Sequence, residues 1–271
     1  MNGIFDRTSV LPVIFSLTVS LGLSFALTPL VKLLAVKIGA VDIPKDKRRM
    51  HDHPIPRLGG LAIFIGFVVA VLAFADGERV RPMPASQDHK RAYDGNRGPN
   101  TGGMGAISPP PQYTPEIAQR CMDEIFLPTI AALKAEGRPF HGVIYFGLML
   151  TPDGPKVVEY NARFGDPECQ AVLSLVDSDL MEIFLACREG ALDKLDVRWR
   201  DKAACCLVLA SGGYPLDYKK GYPISGLEEA GKSAVVFHAG TAEQDGRIVT
   251  SGGRVLGVTA LGDTLEQAID N

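Results

Sequence analysis

Two long uncharged runs in the first 75 residues most constrain how this chain can fold. The first extends from Ser9 to Val31 and the second from Leu58 to Ala75, and neither contains Asp, Glu, Lys or Arg. A helix rises about 1.5 Å per residue, so the first run can cross a bilayer core of roughly 30 Å and the second is close to the minimum length. We therefore expect two transmembrane helices. A cleaved signal peptide is the alternative for the first run, but the run is long and lacks a basic start and a small-residue cleavage site.

The segment between the two runs, residues 32–57, is strongly basic. It contains Lys32, Lys37, Lys45, Lys47, Arg48, Arg49 and Arg57. Because loops rich in Lys and Arg stay on the cytoplasmic side, we expect this loop to be cytoplasmic. A complete second span would then carry everything after Ala75 to the other side of the membrane.

The sequence after Ala75 resembles that of a soluble protein. Over the whole chain, 46% of the residues are hydrophobic and 22% are charged, which is typical of globular rather than disordered proteins. The formal net charge is -3, so we expect no nucleic-acid partner, because binding a phosphate backbone needs clustered Lys and Arg. The five cysteines show no CxxC spacing, which favours reduced, buried thiols over a zinc site or a disulfide framework.

Apolar periodicity and turn residues predict the elements of this soluble part. We expect loop-rich chain over 76–113 and a parallel-sheet core, with a smaller sheet towards the C-terminus. Helices are predicted at 115–136 and at about 178–188. Strands are predicted at 141–150, 155–160, 205–211, 233–240 and 254–262, the first two joined by the turn Thr151–Gly154.

The most informative stretch is KVVEYNARFGDPECQ, residues 156–170. Alternate side chains of a strand point to the same face, so Glu159, Asn161 and Arg163 are predicted to project together. Carboxylate and amide oxygens suit a magnesium ion held by nucleotide phosphates, and a guanidinium can neutralise charge on a transferred phosphoryl group. The alternative is an amphipathic edge strand with one solvated polar side, and the pattern alone leaves both open.

A second candidate segment is the glycine loop, Gly98–Gly105, with the sequence GPNTGGMG. Glycine tolerates backbone angles that other residues avoid, so such a loop can turn several N–H groups toward an anion. Most glycine loops are structural turns, however, and the chain has neither a P-loop nor a strand-preceded GxGxxG to strengthen the functional interpretation.

These motifs together resemble the glycinamide ribonucleotide (GAR) synthetases, which are ATP-grasp ligases. The resemblance is carried by ExNxR, by RFGDPECQ (Arg163–Gln170, the signature run) and by QDHKR with GPNTGGMG, and it covers about residues 74–271. It implies that Glu159 and Asn161 bind Mg²⁺ or Mn²⁺ bridging the phosphates of ATP, and that Arg163 is catalytic. It further implies that glycine and phosphoribosylamine are substrates. The implied substrate-binding residues are Lys90, Asn100, Thr101, Gly102 and Gly103. His238 and Arg254 also match the family, but a satisfied polar residue explains each equally well, and both stay outside the predicted site.

One position departs from the family pattern. Asn96 stands where the resemblance leads us to expect an acidic residue, although this change should not abolish the fold.

The N-terminal part resembles a different family. VDIPKDKRRMHDHPIPRLGGLAIF is similar to the first cytoplasmic loop and second helix of polyprenyl-phosphate N-acetylhexosamine-1-phosphate transferases, over about residues 10–75. Those enzymes carry aspartate-rich motifs on later loops, where magnesium bridges carboxylates and a diphosphate. This chain has no such motif after its second run.

We therefore expect an α+β fold: a partial ATP-grasp domain (76–190) and a small, truncated β-rich C-terminal domain (191–271), preceded by a two-helix membrane segment (1–75). The expected activity is ligation of glycine to phosphoribosylamine, impaired because the family's N-terminal domain and ATP lid are missing. The membrane segment predicts a membrane location, whereas the ligase family is cytoplasmic. This conflict leads to the hypothesis of a chimera, with a membrane transferase fragment or a silent membrane-anchored protein as the alternatives.

Overall fold

The computed structural model describes residues 67–271, together with the backbone of two short strands, β1 (Val41–Asp42) and β2 (Ile55–Pro56), which pair antiparallel. Phe67–Asn271 forms a compact unit by itself. The predicted first transmembrane helix, residues 9–31, lies outside the described residues. The same holds for the basic loop 32–57 apart from these two strands.

The predicted second transmembrane helix, residues 58–75, is wrong over the half that the structure describes. Strand β3 spans Phe67–Asp76, and among the described residues no helix is long and apolar enough to cross a membrane. Side chains from Val69 to Ala75 are at most 2% exposed. A strand covered on both faces is apolar at every position rather than at every second one, which explains why it was mistaken for a spanning helix.

The first sheet is four-stranded, in the order β10-β9-β3-β4. Strand β3 pairs along its whole length with β9 (His141–Thr151), and on its other side with β4 (Val80–Pro82). Strand β10 (Gly154–Asn161) forms a hairpin with β9 and lies at the edge. The two predicted strands and the turn between them are confirmed.

Helices cover both faces of this sheet. One face packs on a continuous helical segment made of α1 (Pro115–Cys121), a π-helical stretch (Met122–Phe126) and α2 (Leu127–Ala135). The other face packs on α3 (Glu168–Leu173) and α4 (Leu180–Glu189). The sheet residues therefore alternate between two cores, each of them apolar.

The second sheet is five-stranded, in the order β12-β15-β11-β8-β5. Its strands are β5 (Gln87–Asp88), β8 (Gly105–Ser108), β11 (Ala203–Ala210), β12 (Val235–His238) and β15 (Arg254–Gly262). Two strands precede the first helix and three come from the C-terminal part. The second sheet thus joins the chain around the glycine loop to the C-terminal strands.

Shorter elements complete the described part. Two hairpins are formed by β6 (Arg91–Tyr93) with β7 (Arg97–Asn100) and by β13 (Thr241–Gln244) with β14 (Arg247–Thr250), and two short helices are α5 (Leu227–Ala230) and α6 (Leu265–Asp270). Every strand ladder in residues 67–271 is antiparallel, so the expected parallel core is wrong.

The predicted helices are confirmed, and their ends follow from local capping. Thr114 accepts a hydrogen bond from Ile117 N at the start of α1. Asp179 accepts one from Met181 N (2.7 Å) at the start of α4, which ends at Gly190 in the left-handed region (φ 67°). Side-chain acceptors at the first turn and a left-handed glycine at the last satisfy backbone groups that the helix itself leaves unpaired.

Candidate active site

The two predicted metal ligands lie on one face at the end of β10. The pairing of β10 with β9 shifts register between Val157 and Glu159, and beyond that bulge Glu159 stands opposite Gly147 and Asn161 opposite Tyr145. A side chain at position 147 would collide with Glu159, because a Cβ built there lies 2.7 Å from Glu159 Cγ. Gly147 therefore leaves the space that the carboxylate occupies, and this is a feature of the site that the sequence analysis missed.

These two side chains fit a divalent cation. Glu159 is exposed, and carboxylate and amide oxygens are the hard ligands that Mg²⁺ and Mn²⁺ accept. Asn161 Nδ2 is buried and has no hydrogen-bond partner among the described residues, so it is free to donate to an incoming acceptor such as a phosphate oxygen. No group of three His, Cys, Asp or Glu residues in the described chain could hold a metal by itself. A cation here would need phosphate oxygens to complete its ligands.

A buried hydrogen bond between two polar side chains holds the signature run against β9. Tyr145 Oη donates a hydrogen bond of 2.8 Å to Oε1 of Glu168, which is 2% exposed. Burial raises the pKa of Tyr145 and the neighbouring Glu168 carboxylate raises it further, so the tyrosine remains a donor. Gly165 leaves room for this carboxylate, since a Cβ there would lie 2.5 Å from Glu168 Oε2.

Arg163 lies beyond the end of the strand. Because β10 ends at Asn161, the alternation that aligns Glu159 with Asn161 does not extend to Arg163. Its guanidinium donates to Phe164 O (2.8 Å), and the exposed side chain lines an open groove of about 710 Å³ together with Asp166, Gln170 and His238. The catalytic role of Arg163 stays a prediction.

Four consecutive backbone N–H groups of the glycine loop, from Thr101 to Met104, donate hydrogen bonds within the protein. Thr101 N donates to Lys90 O (2.7 Å), Gly102 N to Tyr214 Oη (3.0 Å), Gly103 N to Thr101 Oγ1 (3.0 Å) and Met104 N to His89 O (2.8 Å). In this conformation these four N–H groups are not available to the predicted anion cradle. Ligand binding by this part of the loop would fall to side chains such as Asn100, whereas the Thr101 hydroxyl, which also donates to Lys90 O (2.8 Å), would have to exchange a partner.

Close packing explains the glycine at position 103. Gly103 adopts φ +117°, and a Cβ there would clash with the Pro167 ring and lie 2.8 Å from Asp88 Oδ1. Lys90 forms an ion pair with this buried Asp88. Burial raises the pKa of Asp88 to about 6, and the Lys90 ammonium opposes that rise. The structure thus brings Lys90 and the glycine loop next to the signature run.

Arg254, which the sequence analysis left outside the site, connects these segments. Its Nη1 donates to Gly102 O (3.1 Å), Gly103 O (3.5 Å) and Asp166 O (3.0 Å), and its Nη2 donates to Asp166 Oδ2 (2.7 Å). Arg254 begins β15, far from its partners in sequence, so spacing alone carries no signal of these contacts.

Comparison with known proteins identifies the family. The model of the phosphoribosylglycinamide synthetase ATP-grasp (A) domain matches residues 62–169, and that of the C domain matches residues 204–271. The phosphoribosylamine–glycine ligase of Caldanaerobacter subterraneus is 51% identical over 203 residues, and that of Caulobacter vibrioides 52% over 206 residues. This chain belongs to the phosphoribosylamine–glycine ligase family.

The resemblance to this ligase family covers one part of the chain and one part of its relatives. The two alignments include 75% of this chain and 48% of each relative, so the chain spans about half the length of the curated relatives it matches. A crystal structure of phosphoribosylamine–glycine ligase from Thermotoga maritima superposes with a TM-score of 0.67 and 37% identity, over 75% of this chain and 50% of that one. An L-amino acid ligase from Bacillus licheniformis, at a TM-score of 0.51 and 17% identity, shares the fold alone.

The ligase family match also moves the expected boundary. It begins at residue 62 rather than near 74, so it includes the whole of β3. The transferase resemblance, placed at 10–75, therefore overlaps ligase sequence at its end. Most of the remainder lies outside the described residues.

Proposed function

We propose that this chain carries the metal-binding and phosphate-facing part of an ATP-dependent ligase that joins glycine to 5-phosphoribosylamine. The observation that supports it most is the register of β9 and β10, which puts Glu159 and Asn161 on one face directly before the signature run. Family membership supplies the reaction type, a carbon–nitrogen ligation, and the named relatives supply the substrates.

In this proposal Glu159 and Asn161 would hold Mg²⁺ or Mn²⁺, which would neutralise charge on the ATP phosphates. The glycine carboxylate attacks the γ-phosphorus, the bond to ADP breaks, and an acyl phosphate forms. The amine of phosphoribosylamine then attacks the acyl carbon, and inorganic phosphate leaves with formation of the amide. The amide Nδ2 of Asn161, which has no partner among the described residues, would donate a hydrogen bond to a phosphate oxygen. Arg163 would neutralise charge on the transferred phosphoryl group.

Substrate binding is assigned to the residues predicted from the family motif. Lys90, Asn100 and Thr101 offer side chains, while Gly103 allows close approach to Pro167 of the signature run and Gly102 to Arg254. Since the N–H groups from Thr101 to Met104 are already donated, side chains rather than backbone are proposed to contact the substrate.

The direct test is ADP release by the purified full chain with ATP, Mg²⁺, glycine and phosphoribosylamine. We expect release that requires both substrates and disappears in Glu159→Ala, because loss of the carboxylate removes a ligand of the cation. The matched control is Glu229→Ala, an exposed glutamate paired with Lys232, which should behave like the wild type. Equal release by the wild type and Glu159→Ala would rule out this assignment.

We also propose that the part of the chain before residue 62 has a separate origin, as a fusion or assembly chimera. The transferase-like motif and the start of the ligase match at residue 62 support this. Membrane attachment through residues 9–31 belongs to the same proposal. Sequencing the genomic locus and its transcript across codons 50–75 tests it, and one continuous transcribed frame would overturn the assembly explanation.

A further inference from the structure

The guanidinium of Arg254 is the meeting point of three segments that are far apart in sequence. It stands at the start of β15 in the second sheet, and it reaches the carbonyl oxygens of Gly102 and Gly103 in the glycine loop and both the carbonyl and the carboxylate of Asp166 in the signature run. The Asp166 carboxylate is further held by Gln170 Nε2 (3.0 Å) at its other oxygen. These bonds link the loop and the run through one side chain.

Arg254 packs closely against the loop at Gly102. A Cβ at Gly102 would lie 3.2–3.3 Å from Arg254 Cζ, Nε and Nη2, so the guanidinium lies directly against the loop backbone. The Arg254 side chain is 23% exposed, and an arginine that donates in a fixed fork loses less freedom per bond than a lysine. The contact is therefore partly protected from water and directional.

Tyr214, in the turn that follows β11, holds the same loop. Its hydroxyl oxygen accepts the hydrogen bond from Gly102 N, and its ring covers Gly253, the residue before Arg254, where any Cβ would clash with the ring. Two side chains from the C-terminal part thus satisfy both the N–H and the C=O of Gly102. A backbone unit fixed on both sides cannot shift without breaking one of these bonds.

We infer that Arg254, assisted by Tyr214, is a positioning residue that holds the glycine loop in register with the signature run. This inference rests on the proposed function, in which the loop contacts the substrate and the chain around the run faces the ATP phosphates. Arg254 touches neither ligand and acts through Gly102, Gly103 and Asp166. Its loss therefore affects binding of the substrate held by the loop, while Glu159 and Asn161 keep their places on β10.

The kinetic test compares Arg254→Met, Arg254→Lys and Tyr214→Phe with the wild type, all as full chains. For Arg254→Met we expect the KM of glycine or phosphoribosylamine to rise about tenfold, with the KM of ATP unchanged within about twofold, because charge-assisted hydrogen bonds to the loop are lost. Arg254→Lys retains the charge but not the forked guanidinium, so its KM for the same substrate should lie between those of the wild type and Arg254→Met. The control is Lys202→Met, which removes an exposed ion pair with Asp263 elsewhere in the C-terminal part. A uniform loss of kcat with no change in any KM would contradict the inference.

Hydrogen exchange provides a measurement that does not depend on turnover. In Arg254→Met and Tyr214→Phe, amides of residues 101–104 should exchange at least about tenfold faster, while amides of β11 and β15 keep their protection. Unchanged exchange in the loop, or an equal increase across the sheet, would overturn the positioning role. If the wild type releases no ADP even with the other half of the Caldanaerobacter subterraneus ligase added, the proposed function is wrong, and the exchange result then decides alone whether Arg254 positions the loop.

Discussion

At the scale of single residues, Asp76 shows how one carboxylate can hold three segments together. It lies at the end of β3, is 1% exposed, and accepts hydrogen bonds from Glu78 N, Arg79 N (2.7 Å) and Leu192 N (3.1 Å). Burial opposes its ionisation, but these N–H groups and the Arg79 guanidinium hold the pKa of Asp76 below its usual value of 3.8. The charged form is thus part of the fold.

We predict that Asp76→Asn destabilises the protein by on the order of 2 kcal/mol at pH 7, because buried donors lose a charged acceptor. A depressed folded pKa adds stability that is complete above the unfolded pKa and is lost as pH falls through the folded pKa. The difference between wild type and variant should therefore persist from pH 8 to 5 and shrink below pH 4. Urea unfolding at several pH values measures it, with Asp263→Asn as an exposed control.

Asp88 presents the opposite case, since burial raises the pKa of its carboxyl to about 6. A raised folded pKa means that the protein loses stability as pH rises from about 4 to 6, where the unfolded chain is already ionised. We predict that Asp88→Asn is more stable than the wild type by on the order of 2 kcal/mol above pH 6, and no more stable below pH 4. Thermal unfolding of the wild type and Asp88→Asn across this pH range tests the sign of the stability difference.

Lys90→Met is the companion variant for Asp88. Removing the ammonium that compensates the buried carboxylate should raise the pKa of Asp88 further and lower stability at pH 7. Equal melting temperatures of the wild type, Asp88→Asn and Lys90→Met at pH 7.5 would show that the buried charge of Asp88 does not destabilise the folded protein.

At the scale of elements, β3 decides whether the ligase part can fold. It is the partner of both β9 and β4, and burial of Leu72 and Phe74 alone stabilises the fold by roughly 3–6 kcal/mol. We predict that a fragment beginning at residue 76 is unfolded, whereas one beginning at residue 62 is folded. Size-exclusion chromatography and cooperative urea unfolding distinguish them, and a folded fragment from residue 76 would contradict the central role of β3.

Strand β3 also shows which structures a sequence pattern cannot distinguish. A strand covered on both faces and a spanning helix both appear as uncharged apolar runs, so periodicity could not separate them at residues 67–75. The hairpin after His141 was predictable because Thr151–Gly154 contains a strong turn signal. Alternation placed Glu159 and Asn161 correctly because the bulge precedes Glu159, but it could not extend to Arg163 past the strand end. Contacts such as Arg254 with Gly102 depend on the tertiary fold, which local spacing does not encode.

At the scale of the whole molecule, the chain matches about half the length of its ligase relatives. We predict that the other half of the Caldanaerobacter subterraneus ligase, supplied as a separate polypeptide, increases ADP release by this chain at least about tenfold, since binding groups on both halves would then surround the nucleotide. The increase should be absent when the chain carries Glu159→Ala. No increase, with both polypeptides folded, would mean that the two halves do not assemble.

The central position of β3 also has a consequence during synthesis. Only Ala73, Phe74 and Ala75 pair with β4, which follows at once, whereas β9, which pairs along all ten residues, is made after the helical segment Pro115–Ala135. Until β9 leaves the ribosome, the edge of β3 that pairs with β9 has no partner, although the opposite edge can already bond to β4 and, at Ala70 and Leu72, to Ser86 and Met83. An apolar strand with an open edge is prone to pair with other chains, so the time until β9 is made sets how long this risk of aggregation lasts.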